Sequence, residues 1–88
     1  MTYRVIVPPE IERIVVRLHP VLKTKVRAAF DLLAEDPYQG KVLKENLAGL
    51  RSFRVAGYRI VYRIYHKALQ VYIVALGHRG DVYQSLSP

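Results

Sequence analysis

The sequence contains no cysteine, and its apolar runs are short. Without cysteine, neither a disulfide framework nor a thiolate metal site or nucleophile is available, and small secreted domains usually need such a crosslink. No run approaches the ~20 apolar residues that a membrane span requires, and no basic-then-apolar leader opens the chain. We therefore expect a cytoplasmic protein that neither is exported nor spans a membrane.

Metal-binding patterns are also lacking. The three histidines, His19, His66 and His78, show no ligand spacing, and no cluster of carboxylates accompanies them. Gly77 and Gly80 do not form a phosphate-cradling loop that opens a long helix. The sequence thus predicts neither a metal nor a nucleotide cofactor.

Acidic residues are scarce in the second part of the chain. Residues 1–36 contain six Lys/Arg and five Asp/Glu, whereas residues 37–88 contain eight and two, so the net charges are +1 and +6. Concentrated positive charge attracts anionic partners, which leaves nucleic acid, an acidic protein or an anionic membrane surface as candidates. Eighty-eight residues suit one domain, residues 1–88, with little room for an enclosed site.

The first part of the chain has a short strand pattern followed by helical periodicity. Apolar residues alternate until Pro8-Pro9, and a stripe at spacings of three, four and seven then predicts an amphipathic helix. A second stripe follows after His19-Pro20. The predicted elements are a strand over residues 2–7, a helix that starts at Pro9 and is broken by His19-Pro20, and a second helix from about Pro20 to Glu35. Residues 37–49 have no sustained period and are interpreted as a connecting loop.

From Leu50 onward the period changes to two. Segments rich in Tyr, Val and Ile predict three antiparallel strands over residues 51–55, 58–65 and 69–76, ended by Gly77, with a short helical turn near Tyr83. The predicted fold class is α+β: a strand, a helical hairpin, a three-stranded antiparallel meander and a short C-terminal helical turn. We expect both helices on one face of the sheet and an open opposite face, with the first strand beside a later one.

Arginines repeat along the first predicted hairpin. Phe53, Val55 and the apolar positions of the next strand should face the helices, which turns Arg54, Arg59 and Arg63 the other way. A two-residue Ala56-Gly57 turn would place Arg54 opposite Arg59, where like charges destabilise a sheet. An anion between them would remove the conflict, and the arginine fork fits phosphate oxygens. The alternative is a solvated basic face without a ligand.

Further candidates lie around these arginines. Arg79 and Tyr83 follow the last strand, where a tail can bring them over the exposed face, and His78 is the imidazole nearest to them. Tyrosines interleave with the basic residues and would either stack on unpaired bases or pack in the core. The tyrosines are Tyr58, Tyr62, Tyr65, Tyr72 and Tyr83.

Two runs of the sequence, LRSFRVAGYRIVYRI at residues 50–64 and VALGHRGDVY at residues 74–83, resemble the RelE/ParE toxin superfamily. The order of predicted elements matches along nearly the whole chain. The resemblance implies a toxin that is paired with a small antitoxin and cleaves mRNA in the ribosomal A site without metal. In this chemistry the 2′-hydroxyl of the RNA attacks the adjacent phosphate.

The resemblance also implies roles for residues. Arg59 would stabilise the phosphorane, Arg79 would serve the phosphate or leaving group, and Tyr83 would take part in proton transfer. The residues expected to bind RNA or phosphate are Arg51, Arg54, Arg63, Lys41, Lys44 and His78. Some relatives have lysines where this chain has Arg51 and Arg54, and arginine is a poor general base because its pKa lies above 12.

The sequence leaves two other functions open. A ParE-like toxin would inhibit DNA gyrase by binding, without nuclease chemistry. A toxin-like domain without activity would bind nucleic acid or a partner and show salt-sensitive RNA binding without cleavage. The antitoxin is expected to be acidic and to fold upon the basic sheet.

Overall fold

Prolines begin both long helices, as predicted. The computed structural model describes residues 2–84 and 86; in it α1 spans Pro9–Val16 and α2 spans Pro20–Glu35. Proline suits the first helical position because its missing N–H would have no partner there. The His19 Nδ1 accepts a hydrogen bond from the Val21 N–H at 3.3 Å, which caps α2. The predicted apolar stripes are buried or half-buried, except that Ile14 of the first stripe is 38% exposed.

The strands form one mixed sheet within the described residues, in the order β1-β5-β4-β3-β2. The first strand pairs in parallel with β5, which confirms its expected place beside a later strand, and all other pairs are antiparallel. The bounds are Arg4–Ile6 for β1, Lys41–Val42 for β2, Arg51–Val55 for β3, Tyr58–Tyr65 for β4 and Gln70–His78 for β5. A short helix, α3, spans Asp81–Gln84. The α+β prediction is confirmed.

The end predicted for the last strand is wrong. Gly77 does not stop β5, because it pairs with Arg59 and the strand continues to His78 opposite Tyr58. The strand also contains a bulge: Ile73 pairs with Tyr62 and Ala75 pairs with Val61, which leaves Val74 as the extra residue. An extra residue changes which side chains point to each face beyond it.

The segment predicted as a loop, residues 37–49, contains the edge strand β2 and two 3-10 turns, Pro37–Gln39 and Glu45–Leu47. The fully buried Tyr62 holds the first turn. Its hydroxyl donates to the Pro37 carbonyl at 2.6 Å and accepts from the Gly40 N–H at 3.0 Å. A side chain on Gly40 would collide with the Tyr62 ring, so the turn requires glycine. The local sequence pattern did not predict this turn, because the side chain that holds it lies far away in the sequence.

Two apolar clusters lie on opposite faces of the sheet. We call the face covered by α1 and α2 the helix face and the opposite one the arginine face. The main core packs on the helix face and includes Tyr62 and Ile73. A smaller cluster on the arginine face buries Leu50, Val61, Ala75 and Val82. The expectation of an open second face is therefore wrong at its centre, because apolar strand residues there are covered by α3 and by Leu43 and Leu47.

Candidate nucleic-acid interface

Arg54 and Arg59 are direct cross-strand partners, as predicted. The turn between their strands is the two-residue Ala56-Gly57 connection, and Ala56 adopts the positive φ of 54°. Directly opposite residues share a face of an antiparallel pair, so both guanidinium groups belong to the arginine face. The sheet thus keeps two like charges adjacent at a position where they oppose its stability.

A groove of about 570 Å³ lies on the arginine face beside this pair. Its walls come from the β2 region on one side, β4 beneath, and the segment after β5 on the other side. The residues that line it are Lys41, Leu43, Lys44, Leu47, Arg59, Arg79, Gly80 and Tyr83. Five residues that the sequence nominated for catalysis or phosphate binding therefore meet in one groove.

Arg59 lies at the floor of this groove with an unsatisfied donor. Its Nε is buried and has no hydrogen-bond partner among the described residues. Buried polar atoms are nearly always paired, and leaving one unpaired costs about 1–3 kcal/mol. A ligand oxygen would satisfy this donor, which makes Arg59 the residue best suited to receive an anion.

Carboxylates do not neutralise the groove. Between residues 2 and 84 and at 86, the one ion pair joins Arg27 to Glu12 on the helical hairpin, at 2.8 Å. The groove cations Lys41, Lys44 and Arg79 therefore have no carboxylate within 4 Å in this part of the chain. Their mutual repulsion favours an anionic ligand.

Tyr83 is anchored by a residue that sequence reasoning missed. Its hydroxyl donates to the Ser52 Oγ at 2.9 Å, and Ser52 is buried on β3 with only 3% of its surface exposed. The side chain lies on the arginine face because Ser52 pairs with Val61. The sequence signal that would have identified it is a small hydroxyl residue two positions before Arg54, on the same face of the strand.

Arg51 does not reach the groove. It lies on the helix face with Phe53 and Val55, and its Nη1 donates to the carbonyls of Tyr38 at 3.3 Å and Gly40 at 3.0 Å. Its guanidinium carbon lies 5.2 Å from the centroid of the Tyr38 ring. The predicted RNA-binding role of Arg51 is therefore not supported by its position; the side chain holds the 37–40 segment instead.

His78 is also on the helix face. Its ring centroid lies 4.3 Å from that of Tyr58, and both residues line a cavity of about 340 Å³ with His19 and Leu22. The bulge at Val74 explains the difference, because the extra residue reverses the alternation along the rest of β5. His78 is thus separated from Arg59 and Arg79 by the sheet.

Arg54 and Arg63 lie on the arginine face outside the groove lining. Arg54 is exposed next to Arg59, which keeps it within reach of a strand bound in the groove. The Arg63 side chain extends toward Gly49, which has a φ of 91°. A Cβ added to this glycine would lie 3.0 Å from the Arg63 Nη1. Arg63 therefore lies on the same face as Arg59 but away from the groove.

Metal ligands do not cluster in the part of the chain that the structure describes: no three His, Asp or Glu side chains meet there in a way that would hold an ion. None of the helices described is long and apolar enough to cross a membrane.

Comparison with known proteins assigns the family. A family model described as the ParE toxin of type II toxin-antitoxin system, parDE, matches residues 5–83. The chain belongs to the RelE/ParE toxin superfamily. The resemblance of residues 50–64 and 74–83 is thereby confirmed. Toxin RelG of Mycobacterium tuberculosis is 38% identical to this RelE/ParE-type toxin over 65 residues, which are 73% of this chain and 75% of RelG.

Solved structures of RelE/ParE-type toxins share the fold. The M. tuberculosis toxin-antitoxin complex RelBE2 matches with a TM-score of 0.81 and 33% identity, over 90% of this chain and 100% of the matched one. The archaeal RelE-RelB complex from Pyrococcus horikoshii matches with a TM-score of 0.75 and 26% identity, over 91% and 98%. Free E. coli RelE, at 17% identity and a TM-score of 0.78 over 96% and 93%, shows the fold alone.

Proposed function

We propose that this toxin is a ribosome-dependent endoribonuclease that cleaves mRNA and so inhibits translation. The observation that carries the proposal is the cationic groove, with the unsatisfied Nε of Arg59 at its floor. An open groove suits a polymer, which must enter from the side. A cytoplasmic location is part of the proposal, because ribosomes and mRNA are found there.

The proposed reaction uses the nucleophile of the RNA itself. The 2′-hydroxyl oxygen attacks the adjacent phosphorus, and the bond from phosphorus to the 5′-oxygen breaks. The products are a 2′,3′-cyclic phosphate and a 5′-hydroxyl, with one proton lost from the nucleophile and one gained by the leaving oxygen. The protein has to position the strand, stabilise the additional negative charge and move these protons.

Each groove residue receives a role in this proposal. Arg59 stabilises the phosphorane through its free donor, and Arg79 serves the phosphate or the leaving oxygen. Lys41 and Lys44 bind flanking phosphates. Arg54, exposed beside Arg59, contributes charge and does no general-base work, because a guanidinium does not lose its proton.

Proton transfer is assigned to Tyr83. His78 lies across the sheet from the groove and is excluded from this role by position. Tyr83 lines the groove with Arg59 and Arg79, and Ser52 fixes its hydroxyl. Groups supplied by the ribosome complete the acid-base chemistry.

The proposed physiological partner is a cognate antitoxin. Two of the similar structures are complexes named RelBE2 and RelE-RelB. The net charge of +6 in residues 37–88 favours an acidic segment that folds on the toxin.

The second candidate is inhibition of DNA gyrase without cleavage. It is favoured by the matching family model, which describes a ParE toxin. A third, a domain that binds nucleic acid or a partner without catalysis, requires only the charge of the groove. The three candidates differ in what Arg59, Arg79 and Tyr83 do.

One experiment separates them. The wild-type toxin and its Arg59→Ala, Arg79→Ala and Tyr83→Phe variants would be induced in a bacterial host, with Arg17→Ala directly after α1 as a matched control. The 5′ ends of mRNA on translating ribosomes and the supercoiling of DNA would be measured in the same cells, at equal levels of folded protein.

We expect cuts at codon-related positions with wild type and with Arg17→Ala, and their loss in the three groove variants. Growth arrest with altered supercoiling and no cuts would assign the protein to the gyrase inhibitors. RNA binding in vitro without either effect would support the binding domain.

A further inference from the structure

Tyr65 and Tyr72 form an exposed aromatic pair on the arginine face. Tyr72 is the cross-strand partner of Arg63, and Tyr65 pairs with Gln70. Their ring centroids lie 6.4 Å apart at an interplanar angle of 88°, and 46% and 38% of their surfaces are exposed. An edge-to-face pair leaves ring faces available to a third aromatic group.

The surroundings of this pair differ from those of Tyr58, Tyr62 and Tyr83. Tyr62 is fully buried on the helix face, and Tyr58 packs there against His78. Tyr83 lines the groove with its hydroxyl on Ser52. Tyr65 and Tyr72 thus form an exposed ring pair beside cationic side chains of the arginine face.

Two arginines flank the pair from opposite sides. On β1, Arg4 pairs with Gln70; on β4, Arg63 pairs with Tyr72. Arg4 belongs to the arginine face because the neighbouring Val5 and Val71 pack against the helix-face core, and Arg63 belongs to it because the adjacent Tyr62 lies in that core. Neither arginine has a carboxylate within 4 Å among residues 2–84 and 86. We call Arg4, Arg63, Tyr65 and Tyr72 the tyrosine patch.

Exposed aromatic rings beside cationic side chains are typical of sites that bind unpaired nucleic acid. Bases stack on aromatic side chains regardless of sequence, and arginines contact the phosphates between them. Packing of one ring on the other accounts for the contact within the pair. It does not account for two arginines without carboxylates at the same place.

The tyrosine patch and the groove are on one face of one strand. Arg59 and Arg63 are four residues apart on β4, which is about 13 Å, and Tyr65 lies a further two residues, or about 7 Å, along it. The small cluster around Val61 and Val82 lies between the two sites. A strand that joins them passes over this cluster.

We propose that the tyrosine patch binds unpaired nucleobases of the same RNA strand whose phosphate occupies the groove. The proposal rests on the proposed function in one respect: the ligand of the groove is RNA. The patch adds a second anchor, which orients the strand and sets the length of RNA that binds tightly.

The first test uses a site-specific optical probe. The chain has no tryptophan, so Tyr72→Trp introduces a single indole into the patch. Uncleavable 2′-O-methyl RNA oligonucleotides of increasing length would be titrated against this variant. We expect quenching of the tryptophan fluorescence by long oligonucleotides, and none by short ones that bind the groove alone.

The second test compares affinities by fluorescence anisotropy. The double variant Tyr65→Leu/Tyr72→Leu removes both rings and keeps apolar strand residues, and Tyr65→Phe/Tyr72→Phe keeps the rings. Tyr38→Leu, which removes an exposed tyrosine that contacts Arg51 of the helix face, is the control. We expect the leucine variant to bind long RNA about tenfold more weakly and short RNA unchanged. The phenylalanine variant and the control should bind both like wild type.

Arg4→Gln/Arg63→Gln gives an independent measurement if the leucine variant unfolds. It should weaken binding of long RNA and lower its salt dependence, with short RNA unchanged. Wild-type affinity for long RNA in both the leucine and the glutamine variants would overturn the patch and leave the groove in place. Equal quenching of Tyr72→Trp by short and long RNA would do the same. Absence of oligonucleotide binding by wild type would overturn the patch, whereas the proposed function is decided separately by the mapping of mRNA 5′ ends on translating ribosomes.

Discussion

The two faces of the sheet hold their arginines in opposite ways. On the helix face, Arg51 donates to two backbone carbonyls and lies against the Tyr38 ring. On the arginine face, Arg59 lies beside a second arginine with a buried Nε that has no partner in the described part of the chain. An arginine whose donors are used within the protein supports the fold, and one whose donors are unused is available to a ligand.

Loss of the Arg59 side chain should have the largest effect. We expect Arg59→Ala to lower the rate of RNA cleavage by about 100- to 1,000-fold, as for removal of one donor to a transition-state anion. Stability to urea should not fall, because the substitution removes a like-charge pair. Cleavage assays and denaturation curves would be recorded on the same preparation. A destabilised variant with normal cleavage would reverse the assignment.

Tyr62→Phe should give the largest loss of stability among the helix-face substitutions. It removes one hydroxyl and leaves the Pro37 carbonyl and the Gly40 N–H without their partner. We expect a loss of about 2 kcal/mol in the free energy of unfolding. Burial raises the pKa of the Tyr62 phenol above its ordinary value, and the hydrogen bond from Gly40 offsets part of this rise. An unchanged urea midpoint would show that water replaces the hydroxyl.

Arg51→Ala tests the structural role of the helix-face arginine. The loss of its hydrogen bonds to Tyr38 and Gly40 should cost about 1–2 kcal/mol of stability, since the side chain is only half-buried. RNA affinity below the melting range should equal that of wild type. A large drop in affinity with unchanged stability would return Arg51 to the RNA-binding residues.

Ser52 tests whether the arginine face uses a buried polar group for function. Ser52→Ala should slow cleavage severalfold, because the Tyr83 hydroxyl loses its anchor. In a Tyr83→Phe background the same substitution should have little further effect, a coupling of about 1 kcal/mol. Ser52→Thr, which keeps a hydroxyl, is the matched control. Additive effects of the two substitutions would show that Ser52 acts only on the fold.

The smallest effect is expected on the hairpin. The hydrogen-bonded Arg27 guanidinium lowers the pKa of the Glu12 carboxyl, so the contribution of this pair is complete above the ordinary value and is lost as the pH falls through the lowered one. Glu12→Gln should therefore be slightly less stable than wild type near neutral pH and equal to it in acid. The difference should shrink with salt, because the pair is exposed. A difference that grows in acid would contradict the pairing.

Local rules were sufficient for much of this protein. Prolines at residues 9 and 20 and the apolar stripes after them specify both helices, because a missing N–H and a 3.6-residue period act within one turn. The strands at 51–55 and 58–65 and the pairing of Arg54 with Arg59 follow from period two and a two-residue turn. Five groove residues were nominated by the same patterns or by the family resemblance.

The tertiary structure decided the remainder, because it depends on contacts between distant residues. The hydroxyl of Tyr62 orders the segment from Pro37 to Gly40, which has no period of its own. The extra residue Val74 turns His78 away from the groove. The order of strands places Arg4 opposite Gln70 of β5, which lies between Arg4 and Tyr65 of β4. Sequence alone determined which side chains are present and which alternate, and only packing across the sheet determined which of them share a site.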